Sequence, residues 1–129
     1  MTAAWLFADE RTEAALKVFR DVADAGAVVP SLWRLEIANL LRTAERRGRC
    51  SAALADALLE QLESLPIAID RETDTHAWHA TRTLSHEQGL TPYDAAYLEL
   101  AIRLGLPLAT GDRELIAAAQ TLGVAVLAP

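Results

Sequence analysis

GLTPYDAAYLELAIRLGLPLATGDREL, residues 89–115, decides the fold class, because it carries a helix, a strand and the start of a second helix in one uninterrupted run. Thr91 is placed as an N-cap with Pro92 at the first helical position, where the missing amide hydrogen costs nothing and φ is already helical. Ala95, Ala96, Leu98, Leu100, Ala101 and Ile102 continue that helix to Gly105. Pro107 to Thr110 then reads as a short apolar strand, and Asp112 opens a last helix that runs to Leu122. Short all-apolar strands alternating with helices predict an α/β domain with a mostly parallel, buried sheet.

The rest of the chain repeats that alternation. Apolar positions from Asp9 to Ala25 follow helical spacing up to Gly26, and Ala27-Val28-Val29 reads as a buried strand. Pro30-Ser31 opens the next helix, with Ser31 as its expected N-cap, running to about Arg47. Another helix starts near Ser51 and ends before Pro66. Ile67 to Ile69 is strand-sized, Thr73 to Gln88 is helical and polar, and Ala125 to Leu127 is a closing strand. The N-terminus breaks the pattern, since Thr2 to Phe7 reads as helical with no strand before it.

Size and composition fit one domain over residues 1–129. Hydrophobic residues make up 52% of the chain and aromatic ones only 5%, so the core is expected to be built largely from Ala- and Leu-rich helices. Cys50 is the single cysteine, which excludes an intramolecular disulfide and any cysteine cluster, and fits a reducing cytoplasm. No stretch is long and apolar enough for a membrane span. The net charge of −6 argues against unaided attraction to a phosphate backbone, although a carboxylate metal site is itself negative until its cations bind.

Three acids then stand out: Glu36, Asp94 and Asp112. Ligand sites of open parallel sheets lie beyond the carboxyl ends of strands, where helices begin. Asp112 follows a strand, Glu36 lies in the helix after another, and Asp94 sits in a first helical turn. Two of them also have bland explanations. Thr91-Pro-Tyr-Asp94 fits a capping box, and Asp112 fits a plain N-cap. Glu36 is harder to explain that way, because it lies among Leu32, Trp33, Leu35, Ile37 and Ala38, and a carboxylate on an apolar helix needs a partner or a metal. Asn39, three residues on, is placed to orient Glu36, and Thr110 either bonds a water at the site or ends its strand. An all-oxygen set suits Mg²⁺ or Mn²⁺ rather than zinc.

Four segments, AAWLFADE, VVPSLWRLEIANLLRTAERRG, GLTPYDAAYLELAIRLGLPLATGDREL and LGVAVL, occur in an order that resembles the PIN-domain ribonucleases, most closely the VapC-type toxins of bacterial toxin–antitoxin pairs. The resemblance implies a three-layer α/β/α domain with a short parallel sheet. It also implies a Mg²⁺-dependent (or Mn²⁺-dependent) endoribonuclease whose metal ligands fall on Glu36, Asp94 and Asp112, supported by Asn39 and Thr110. The implied partners are an RNA substrate, a cognate antitoxin and a second copy in a homodimer.

The family pattern has an aspartate at the end of a first strand, in a context like V-D-A-S-V, just before the segment matching Thr2 to Glu10. That strand and its acid are absent here, and their loss is expected to expose the edges of two neighbouring strands. The expectation is that the true start lies upstream, with a valine codon read as the initiator at Met1. The rival reading is a catalytically incomplete PIN-like binding module that keeps the antitoxin-binding or dimer surface. A small phosphate-binding α/β protein is weaker, since no glycine-rich loop follows any strand.

Among the remaining features, Arg42, Arg46 and Arg49 fit an exposed basic helix end better than a phosphate-binding patch. Trp5, Leu6 and Phe7 with Leu16 and Phe19 are either core or an apolar groove for a partner helix.

Overall fold

The structure, a computed structural model, describes residues 1–127. After α1 (Thr2–Leu6) and a single 3-10 turn, the chain forms α2 (Glu13–Ala25), β1 (Ala27–Val29), α3 (Trp33–Arg46), α4 (Ala52–Glu63) and β2 (Ile67–Ile69). A continuous helical stretch follows as α5 (Thr73–His76), a π-helical turn (Ala77–Thr81) and α6 (Arg82–Gln88). The chain closes with α7 (Pro92–Leu104), β3 (Leu108–Ala109), α8 (Arg113–Thr121) and β4 (Val126–Leu127).

Local chemistry accounts for most of these boundaries. Thr12, Ser51, Thr91 and Asp112 each accept a hydrogen bond from the amide three residues on, at the starts of α2, α4, α7 and α8. The first long helix therefore begins at Glu13 rather than Asp9, because Thr12 caps it and Asp9 belongs to the 3-10 turn. Gly89 and Gly105 end α6 and α7 with φ of 65°, a left-handed conformation in which a side chain would be strained.

Ser31 is not the cap expected of it. Leu32 holds that place with no side-chain bond, and the Ser31 amide instead donates to Thr73 Oγ1 at 3.1 Å. A contact across the fold has displaced the local preference, so α3 starts at Trp33.

The strands are parallel, as the alternation with helices requires, but they form two pairs. β1 runs beside β2 with Val28 opposite Ala68, and β3 runs beside β4 with Leu108 opposite Val126. The expectation of fully buried strands is corrected here: Val28 is 37% exposed, because one edge of its short sheet opens onto a cavity.

The core divides the same way. One apolar cluster joins α1, α3 and α4 through Leu6, Phe7, Ile37, Leu41, Ala44, Ala55 and Leu62. The other joins α7, β3 and α8 through Ala95, Leu98, Ala101, Leu108, Leu115 and Ala119. Leu6 and Phe7 are thus core, and Trp5 is fixed by its indole donating to the Ala15 carbonyl and by its edge on Phe19. The basic end of α3 is engaged as well: Arg42 pairs with Glu45, and Arg49 pairs with Asp9 and Glu10 over the face of Phe7. No helix among the described residues is long and apolar enough to cross a membrane.

Candidate active site

Between the two halves lies a cavity of about 830 Å³. β1 lines one side of it through Ala27, Val28 and Val29, and β3 lines another through Leu108 and Ala109. Glu36, Asn39, Asp94, Thr110 and Asp112 all line this one cavity, together with Tyr97. Residues distant in sequence and carried on three helices are therefore gathered at the seam between the two apolar clusters.

Each carboxylate reaches the cavity differently. Asp94 lies in the first turn of α7, where its amide donates to Thr91 Oγ1 at 3.1 Å. Half of the capping box is present; among the described residues the Asp94 carboxylate makes no return bond to the Thr91 amide. Burial and the neighbouring charge of Asp112 raise the Asp94 pKa, while hydrogen bonding by Thr91 opposes the shift.

Asp112 does cap α8, with Oδ1 accepting from the Leu115 amide at 2.9 Å. That bond uses one carboxylate oxygen and leaves the other available. Thr110 is buried, and its Oγ1 accepts from the Asp112 amide at 3.1 Å, which fixes the loop that presents the acid. Its own amide donates to the Leu127 carbonyl, so Thr110 also ends the β3 ladder.

Glu36 is exposed, on a stretch of α3 where Leu35, Ala38 and Asn39 are exposed too. The apolar neighbourhood read from the sequence is corrected accordingly, since Leu35 is 76% exposed and only Ile37 of that group is buried. What holds Glu36 is Tyr97, whose phenol donates to Oε1. Asn39 makes no hydrogen bond to Glu36 among the described residues. Burial, the bond to Glu36 and the charges of Glu36 and Asp94 push the Tyr97 phenol well above its ordinary pKa, so it remains a donor.

None of the three acids forms an ion pair among the described residues. Nor do any three His, Cys, Asp or Glu side chains there close into a ready-made metal cluster. Burial and the charge of Asp112 both disfavour ionised Asp94, and a bound cation would offset both. The donor set suits a hard divalent ion: carboxylate oxygens, a hydroxyl nearby, and no thiol or imidazole in the cavity.

Sequence reading missed Tyr97 and a second polar cluster. Tyr97 stands one helical turn after Asp94, a spacing that puts both on one face of α7. On the opposite side Arg103 binds Glu99 at 2.7 Å and Asp70 at 2.6 Å, and reaches Glu72 at 3.4 Å. Asp70 follows β2 directly, at the carboxyl end of a strand, which was a visible signal. Its full pairing marks it as structural.

An α/β scaffold with parallel strands and acids at helix starts around one seam defines the class. Residues 2–120 match the family model of the PIN domain, and the chain belongs to that family. Among characterised proteins it is similar to Ribonuclease VapC3 of Pyrobaculum aerophilum, 31% identical over 113 residues that cover 88% of this chain and 85% of that protein. Among solved structures it is similar to the crystal structure of PAE2754 from Pyrobaculum aerophilum, with a TM-score of 0.66 and 29% identity over 88% of this chain and 80% of that one.

Proposed function

We propose that this PIN-domain chain is an endoribonuclease that hydrolyses RNA phosphodiester bonds with Mg²⁺ or Mn²⁺. In this reading it acts as a toxin in the cytoplasm, is held inactive by a cognate antitoxin, and pairs with a second copy. The observation that carries the reading is the gathering of Glu36, Asp94 and Asp112 around one cavity, where none of the three makes an ion pair among the described residues. Similarity to a ribonuclease supports the reaction class.

Glu36, Asp94 and Asp112 would hold the metal. When bound, it supplies an activated water and offsets negative charge on the phosphate under attack. Asp112 offers the oxygen that its capping bond leaves free. Thr110 keeps the Asp112 loop in place. A cation at the three acids would also offset their repulsion of an approaching phosphate. Cleavage of a single-stranded RNA that depends on Mg²⁺ or Mn²⁺, stops with chelator and is lost in Asp112→Asn supports this function; cleavage indifferent to both overturns it.

A second reading is favoured by the gap between β1 and β3, since both pairs of strands present an edge to the cavity. In that reading the chain is a catalytically incomplete PIN-like binding module that keeps the antitoxin-binding or dimer surface. RNA cleavage by this chain separates the two: Mg²⁺-dependent activity removes the second reading, and absence of cleavage with retained self-association supports it.

A further inference from the structure

Tyr97 occupies an unusual position in a molecule whose core is in two parts. Its ring packs against the cluster built on α7, β3 and α8, while its hydroxyl reaches Glu36 on α3, which belongs to the other cluster. Among the described residues this is the one side-chain hydrogen bond between α3 and α7. Asp112 is held within its own half by the Leu115 amide, and Asp94 shares α7 with Tyr97. Glu36 comes from the far side of the seam on an exposed stretch of helix, and a free glutamate there has several rotamers to choose from.

We propose that Tyr97 is the positioning residue of the site: its hydroxyl, anchored to the half that carries Asp94 and Asp112, sets where the Glu36 carboxylate stands relative to them. This rests on the metal-site reading above. The hydroxyl takes Glu36 Oε1 and leaves Oε2 for a ligand, so the tyrosine acts from behind the carboxylate without touching a metal. Partners of this kind orient ligating carboxylates and typically contribute about 10- to 100-fold in metal affinity. Tyr97→Phe removes the hydroxyl and keeps the ring, so packing in its own half is retained.

The test is Mn²⁺ affinity, measured by calorimetry, in a cycle of Tyr97→Phe, Glu36→Ala and the double variant, with Asp94→Asn as control. Tyr97→Phe is expected to weaken Mn²⁺ binding about 10- to 100-fold with little change in Tm, and to cost nothing further once Glu36 is Ala. An unchanged affinity in Tyr97→Phe, or an equal loss in both backgrounds, overturns the proposal while leaving the metal site standing. Mn²⁺ binding that survives both Glu36→Ala and Asp94→Asn overturns the metal site and this proposal with it. If the phenylalanine variant fails to fold, the tyrosine Raman doublet in a Tyr93→Phe background gives the same answer. The doublet reports a donating phenol that changes in Glu36→Ala, and no change there rules the proposal out.

Discussion

The two sides of α7 carry the same kind of side chain to opposite ends. Facing the cavity, Asp94 makes no ion pair among the described residues, and burial, then the charge of Asp112, raises its pKa. Facing α5 and the end of β2, Glu99 and Asp70 are almost fully buried yet share Arg103, and the guanidinium, with further bonds from the Glu72 amide and Thr73 hydroxyl, holds Asp70 below the usual carboxylate range. Burial alone therefore does not mark a functional acid. The difference is pairing: one cluster is complete within the protein, whereas the cavity acids make no ion pair among the described residues, which is where an external cation or a substrate has something to gain.

Breaking the unbalanced side should have the largest effect on activity. Asp94→Asn is expected to lower RNA cleavage by more than about 100-fold, beyond what losing an outer partner of a ligand costs. The same change should raise Tm in chelator, because it relieves burial of a charge and repulsion by Asp112. A fall in Tm would show that Asp94 is balanced after all.

Breaking the balanced side should reverse those readouts. Arg103→Met leaves Asp70 and Glu99 buried without their cation, and removal of one partner from such a network costs about 3 kcal/mol, read as a lower urea midpoint. Metal affinity of the molecules that remain folded should change little.

The subtlest test is the sign of the pH dependence. Asp70 has a lowered folded pKa, so its contribution is present above the ordinary carboxylate value of about 4 and is lost as pH falls through the folded one. Asp94 has a raised folded pKa, so in metal-free protein its ionisation removes stability as pH rises through the window between unfolded and folded values. Urea unfolding across the acid range should show Asp70→Asn flattening the rise of stability with pH and Asp94→Asn steepening it. Equal slopes in the two variants would erase the distinction between the clusters.

The contrast also explains what could be read in advance. The caps at Thr91 and Asp112, the helix start near Ser51 and the strands at Ala27–Val29 and Ile67–Ile69 are legible because a cap bonds an amide three residues away and a strand needs only its own apolar run. Ser31 fails for the complementary reason, since its amide is taken by Thr73, 42 residues on. The exposure of Leu35 beside Glu36 was hidden because an apolar residue announces burial only when something packs on it.

What the sequence by itself determined is the order of elements, their ends, the ordered contexts that mark a PIN domain, and which acids stand at helix starts. These follow from hydrogen bonds and periodicities spanning a few residues. The tertiary structure alone decided that the strands fall into two pairs around a cavity, that Glu36 is held by Tyr97 at a separation of 61 residues, and that Asp70 is balanced by Arg103 at 33. Partnership between distant side chains depends on where packing brings two helices and a strand end, and no local preference encodes which carboxylate receives a partner.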